Sequence, residues 1–358
     1  MTVDGFLQEI AQSGLIDRRT LQRQWSRTPT DVRDSAEQLA DWFVVEGLLT
    51  EFQAAKLLKG ASRGLLIDNY EIQAFLGKGG MGNVYLAYDR LHQRHCAMKI
   101  LTRSGADHRH VLRFLREIEV SSRLQHPNIA VAYESGTWQG VYYLTLEYVR
   151  GLTLYRLIKR GGPLPVYWAT RWAAEVAGAL DYAHQMGVIH RDLKPSNVIV
   201  TPQGRSKLLD LGLARWYEDD HNEERVVGRR RVVGSFDYIA PEQGANSARA
   251  DARSDIYALG CLMYFMLAGR PPFAHVPSIR EKMRYHCEVE PAAIQSLRPE
   301  LPNALVVAIS KLMHKDPLRR FQVAGEARDV LQKWSEFFSA GGTVPDLPTP
   351  LRTVDDPD

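Results

Sequence analysis

His190-Arg191-Asp192-Leu193-Lys194-Pro195-Ser196-Asn197 places a carboxylate, an ammonium and a polar amide within one short stretch. Apolar Val188-Ile189 precedes it and Val198-Ile199-Val200 follows. The pattern predicts a polar loop held between buried segments. In such a loop Asp192 can handle a proton, Lys194 can hold an anion, and Asn197 can offer an amide oxygen to a cation.

The chain around this loop has 358 residues, enough for about two to three domains of ordinary size. A net charge of +3 argues against nucleic acid or a membrane surface as a partner. Cys96, Cys261 and Cys287 are odd in number and lack metal-like spacing, so neither disulfides nor zinc are expected and a reducing, cytoplasmic compartment is. The start carries no basic segment followed by an apolar core, which argues against a signal peptide. The longest uncharged run, Ile256 to Gly269, is about 14 residues against the roughly 20 that cross a bilayer. It reads as a buried helix, and no membrane span is expected.

Upstream, residues 70–149 read as strands with one helical segment among them. Tyr70 to Leu76 and Asn83 to Tyr88 flank Gly77-Lys78-Gly79-Gly80-Met81-Gly82. A dinucleotide fingerprint would open a helix directly after these glycines. The β-rich Val84-Tyr85-Leu86-Ala87-Tyr88 instead predicts a hairpin whose glycine turn can lie over nucleotide phosphates, with Val84 against the base. Cys96-Ala97-Met98-Lys99-Ile100 is an apolar strand holding one lysine, which needs a carboxylate partner if buried. Glu117 lies beside the apolar face of the next helical segment and is the expected partner, with Glu119 farther round as a surface charge. Glu147-Tyr148-Val149 ends a strand and offers backbone groups to an adenine ring, and Arg150-Gly151 follows as a hinge.

These motifs together resemble a protein kinase, specifically the bacterial eukaryotic-like (Hanks-type) serine/threonine kinases. The resemblance rests on five motifs in order over residues 70 to about 335: the glycines at 77, 79 and 82, Lys99, His190-Arg191-Asp192 with Asn197, Asp210-Leu211-Gly212, and Ala240-Pro241-Glu242. It implies an α+β, bilobal protein kinase fold, with a β-rich N-lobe at 67–149 and a helical C-lobe at 150–336. ATP and magnesium, or manganese in its place, are the implied cofactors, and serine or threonine residues of proteins the implied acceptors. Asp192 would orient the acceptor hydroxyl and Lys194 steady the γ-phosphate, while Asn197 and Asp210 would hold the metal. Leu76, Gly77, Lys78, Gly79, Gly80, Met81, Gly82, Val84, Ala97, Lys99, Glu147 and Val149 would line the ATP site. Ser235 would bridge Asp192 and Lys194, Asp255 would anchor the catalytic loop, and Arg320 would pair with Glu242. A pseudokinase scaffold and a small-molecule phosphotransferase are the competing readings. The complete set of Lys99, Glu117, Asp192, Asn197 and Asp210 argues against the first, and the Ser235 and Glu242 segments argue against the second.

Two regions stand apart. Residues 1–66 read as a small helical module, either a packed appendage or a docking element for a partner. In it Gly14-Leu15-Ile16-Asp17 resembles Gly47-Leu48-Leu49-Thr50, and Thr50 to Gln53 fits a capping box. Residues 337–358 are rich in proline, glycine and aspartate and are expected to be disordered, leaving Thr343, Thr349 and Thr353 open to autophosphorylation. Between Asp210 and Glu242 there is no threonine to be phosphorylated opposite Arg191. Either a carboxylate from Glu218, Asp219, Asp220, Glu223 or Glu224 takes the phosphate's place, or this run is a solvated zwitterionic loop.

Overall fold

A computed structural model of the chain describes residues 1–78, 82–101, 119, 122–211, 235–245, 250–340 and 344–352. Glu117, the middle of the glycine turn at 79–81 and the charged run at 218–231 lie outside them. The chain divides into two compact units; of the described residues, 1–101 and 132–148 belong to the first, and 119, 122–131 and those from 149 onward to the second. The N-terminal helices belong to this first unit together with the strands.

The first unit opens with α1 (Val3–Ser13), α2 (Arg18–Arg27), α3 (Ala36–Val45) and α4 (Glu51–Leu57). The two similar sequence segments do the same work. Gly14 and Gly47, with φ of 71° and 67°, close α1 and α3 in the left-handed conformation that glycine adopts without strain. Asp17 and Thr50 then cap α2 and α4, and the expected capping box is present at Thr50 and Gln53. Phe6, Ile10, Leu39, Phe43 and Leu57 meet in a small core between the helices.

Six strands follow: β1 (Leu66–Ile67), β2 (Tyr70–Lys78), β3 (Gly82–Asp89), β4 (Arg94–Leu101), β5 (Ala132–Trp138) and β6 (Val141–Glu147). They form one antiparallel sheet in the order β1-β2-β3-β4-β6-β5. β2 and β3 make the expected glycine hairpin, with Gly77 opposite Val84 and Lys78 opposite Asn83. β2 is bulged twice, between Ile72 and Ala74 and between Phe75 and Gly77.

After β6 the second unit continues with β7 (Leu152–Thr153), α5 (Leu154–Gly161) and α6 (Val166–Gln185). β8 (Val198–Val200) and β9 (Ser206–Leu208) join β7 in a three-stranded sheet, β7-β8-β9. Then come α7 (Pro241–Ala245), α8 (Ala252–Ala268), α9 (Ile279–Glu288), α10 (Ile294–Leu297), α11 (Asn303–Leu312), α12 (Ala324–Ala340) and α13 (Thr349–Arg352). The uncharged run lies in α8, where every residue from Ser254 to Leu267 is buried. A helix that is apolar all round has to be surrounded, and α8 is the axis of the unit's core, with α6, α11 and α12 packed on it. No helix among the described residues is long and apolar enough to cross a membrane.

One expectation is overturned. The C-terminal segment is not disordered over its described part. α12 runs on to Ala340, and residues 344–352 lie against the second unit. The indole N–H of Trp168 donates to the carbonyls of Pro345 and Asp346 at 3.1 and 3.0 Å. Leu351 is 1% exposed, and Leu347 packs on the same core. A proline-rich strip has little intrinsic structure, but its free carbonyls found a donor and its two leucines found apolar seats, which composition alone does not reveal.

Candidate active site

The polar loop at 190–197 is suspended from α8. Asp255, in the first turn of that helix and 1% exposed, accepts the backbone N–H of His190 at 2.8 Å and of Arg191 at 2.7 Å. A third bond comes from His184 Nε2 at 2.8 Å. Burial by itself would raise the pKa of Asp255; the hydrogen bond and charge of His184 outweigh it and hold the carboxyl below its ordinary value. Arg191 has φ 61°, a left-handed conformation that costs a non-glycine residue on the order of 1–3 kcal/mol and persists only where surroundings impose it. Gln243 Nε2 donates to the Arg191 carbonyl at 3.1 Å, and the Arg191 guanidinium donates to the Ala250 carbonyl at 3.2 Å.

His190 is fully buried. Its Nδ1 accepts the Asp192 N–H at 3.2 Å, and Nε2 donates to the Leu209 carbonyl at 3.0 Å, which fixes the ring tautomer from the network. The imidazole thereby ties the loop to the segment that leads into Asp210.

The Lys194 ammonium donates to Asp192 Oδ2 at 2.6 Å. Asp192 keeps 30% of its side chain exposed and Lys194 16%, so the pair opens to solvent. Pro195–Asn197 form a 3₁₀ turn, closed by the Asn197 N–H on the Lys194 carbonyl at 2.9 Å. The Asn197 amide nitrogen donates to the Asp192 carbonyl at 2.9 Å, which leaves the amide oxygen to serve a cation. β8 and β9 bring Asp210 to the same end, since the Leu209 N–H bonds the Asn197 carbonyl at 2.8 Å. Asp210 also stands at positive φ, 54°.

A further brace was not legible in the sequence. Glu175 of α6 accepts both the N–H and the hydroxyl of Ser206 at 2.7 Å, and Asn128 donates to the Ser206 carbonyl at 2.8 Å. The Leu208 N–H reaches the Asn128 carbonyl at 2.8 Å. His126-Pro127-Asn128 is readable as a turn, but its attachment to β9 spans some 80 residues and follows no periodicity. His184 and Gln243 escaped for the same reason.

Farther from the loop, Glu242 and Arg320 form a two-pronged ion pair at 2.7 and 2.8 Å. Ser254 donates to Glu242 at 2.7 Å, and Arg320 also caps the carbonyls of Arg253, His314 and Lys315. Ser235 starts a 3₁₀ turn, Ser235–Asp237, and its side chain is outside the described set. Leu211, between Asp210 and Gly212, is 3% exposed in the core.

In the first unit Lys99 is 2% exposed on β4, opposite Val84 of β3 and Leu144 of β6. Ala97 lies between Leu86 and Leu146, and Glu147 ends β6 opposite Cys96. Leu76 falls at the second bulge of β2. Any side chain at Gly82 would run into the Ile100 carbonyl, whereas Gly77 faces open space. Val149, 7% exposed, is where the chain re-enters the second unit after β6. The three cysteines are unpaired. Burial pushes the thiols of Cys96 and Cys261 up to about 12, which makes them inert.

Residues 70–334, about three quarters of the chain, match the model of the protein kinase domain. The chain belongs to the protein kinase family. The kinase is 36% identical over 296 residues to serine/threonine-protein kinase PknB of Mycolicibacterium smegmatis, covering 81% of this chain and 46% of that protein. It is 36% identical over 256 residues to serine/threonine-protein kinase PrkC of Bacillus subtilis, covering 71% and 39%. The kinase thus spans about half the length, or less, of the curated relatives it matches. The sheet of the first unit and the helices of the second are the two lobes of the kinase fold.

Proposed function

We propose that this kinase transfers the γ-phosphate of ATP to serine or threonine hydroxyls of proteins. The observation that carries the reading is the arrangement of Asp192, Lys194 and Asn197 on one loop, with Lys194 Nζ at 2.6 Å from the Asp192 carboxylate and Asn197 bonded to the Asp192 carbonyl. Asp192 orients the acceptor hydroxyl and takes its proton as the oxygen attacks phosphorus. Lys194 holds the transferring phosphoryl group as its charge spreads over the equatorial oxygens. Lys99, a buried cation in β4, suits the α- and β-phosphates. The names of the relatives, both serine/threonine-protein kinases, support the acceptor class.

The donor set suits magnesium. Asn197 and Asp210 offer an amide and a carboxylate oxygen, the hard ligands this ion prefers, and manganese accepts the same set. Bound there, the ion would neutralise phosphate charge. The orientation of Asn197 is fixed beforehand by its bond to Asp192, so its oxygen is aimed without further ordering. Three unpaired cysteines suit a reducing, cytoplasmic setting.

Incubation with labelled ATP, magnesium and a generic protein substrate tests the reading. Wild type is expected to yield phosphoserine or phosphothreonine, and Asp192→Asn to be slower by roughly 10²–10⁴. Absence of labelled protein from wild type would overturn it.

A further inference from the structure

The N-terminal helices have no part in the chemistry above, yet they are bonded to the strand that carries Gly77. Thr50 and Gln53 cap α4, and each also reaches outside the helix. The Thr50 hydroxyl accepts the Gln53 N–H at 3.2 Å and donates to the Gln73 carbonyl at 2.7 Å. Gln53 Oε1 accepts the Thr50 N–H at 2.9 Å, and its Nε2 donates to the Ile72 carbonyl at 2.9 Å. Gln53 is 3% exposed, and its bond to Ile72 is made away from water.

Their target is specific. Gln73 is the residue left out of the ladder when β2 slips between Ile72 and Ala74 against β3. A bulge bends the strand beyond it, and its extra residue needs partners from elsewhere. α4 supplies them. One turn of contact follows: the Phe52 ring meets Tyr85 of β3 at 6.2 Å, and Tyr85 meets Phe75 of β2 at 5.5 Å. A second clasp lies at the β3–β4 turn, where Arg90 pairs with Glu71 and donates to the Leu15 carbonyl at 2.7 Å.

We propose that α1–α4 are a positioning element of the nucleotide-binding lobe, in which Thr50 and Gln53 hold the Gln73 bulge and so set the aim of Gly77 and Gly82. Two hydrogen bonds, one buried and one partly buried, give the bulge one direction where a free one would have several. Thr50 and Gln53 are therefore positioning residues for ATP, acting through β2. The proposal rests on the reading of this lobe as the ATP-binding one.

The test uses the full chain. Thr50→Val keeps the side-chain shape without the hydroxyl, and Gln53→Met keeps the length without the amide. Affinity for magnesium ATP is measured by calorimetry, and KM is measured for ATP and for a protein substrate. Each variant is expected to weaken ATP binding roughly fivefold, the effect of about one hydrogen bond. KM for the protein substrate should hold, and Thr50→Ser should restore wild-type ATP binding. ATP affinity at the wild-type level with a lower melting temperature would overturn the proposal, leaving the helices a stabilising role alone. Equal weakening towards ATP and protein would overturn it as well. The two variants are read separately, so loss of folding in one leaves the other decisive. A wild type that takes up no ATP would instead remove the kinase reading itself, an outcome distinct from these.

Discussion

The Asp255 carboxylate accepts the backbone N–H of Arg191 at 2.7 Å, from a residue that stands at φ 61°. The bond explains how the unfavourable conformation is kept. A carboxylate on a buried helix takes two successive N–H groups, those of His190 and Arg191, and so dictates the path of the chain into Asp192. Asp255→Ala leaves both donors buried without their acceptor. The expected loss is roughly 2–5 kcal/mol of stability by denaturant titration. Phosphoryl transfer should fall further than the folded fraction accounts for, because the loop loses its set path. Activity proportional to the folded fraction would contradict this.

Arg320 and Glu242 should behave as a buried pair. The Arg320 side chain is 0% exposed and that of Glu242 12%. Replacing Arg320 by methionine strands a carboxylate, together with the carbonyls of Arg253, His314 and Lys315. Removing one partner of such a pair costs about 3–5 kcal/mol. Thermal and chemical unfolding of Arg320→Met and Glu242→Gln would measure it.

Acid should weaken the fold through His286. This side chain of α9 is fully buried, and its Nδ1 is hydrogen-bonded with the Tyr257 hydroxyl at 2.8 Å. Burial, with the nearby charges of Lys315 and Lys282, pushes its pKa down from 6.5 to about 3. The folded state therefore stays unprotonated where the unfolded state binds a proton, so stability rises with pH between about 3 and 6.5 and is lost as pH falls through that window. Between pH 6.5 and 5 the loss should be on the order of 2 kcal/mol. His286→Gln should flatten that part of the pH–stability curve; an unchanged slope would refute the assignment. Asp255 acts in the same direction only from about its ordinary value of 3.8 downward, where the carboxylate protonates in the unfolded chain, which lacks these hydrogen bonds, before it does in the folded one.

Truncation after Ala340 should destabilise the chain although the lost segment is rich in proline. It removes Leu351, 1% exposed, and both acceptors of the Trp168 indole. Burial of one leucine is worth about 1.5–3 kcal/mol. Trp168 fluorescence should shift to the red as its surroundings become wetter. An unchanged melting temperature would show that the strip adds nothing.

Several of these relationships have a visible trace in the sequence, and several have none. The Thr50 to Gln53 capping box is four residues long and obeys local rules, so its helix start could be placed from the sequence. That the same two side chains also bond Ile72 and Gln73 could not, because a bulge is a mismatch between two strands and has no signature in either alone. The uncharged run in α8 marks a buried helix by composition. Its neighbours α6 and α12 are decided by packing. The tail was misread because proline and glycine content reports intrinsic preference and is blind to the donor waiting on Trp168.

By itself the sequence determined the chemistry on offer: Asp192, Lys194 and Asn197 in one loop, Lys99 in an apolar strand, glycines in a hairpin turn, and the order that marks the family. Spacing along the chain is short-range information, and these motifs are short. Only the tertiary structure decided what holds them: Asp255 and His184 under the loop, Glu175 and Asn128 behind β9, α4 on the bulge of β2 and the tail on Trp168. Each of these is a hydrogen bond between groups that are neighbours only after folding, made because a buried polar atom must find a partner wherever the fold supplies one.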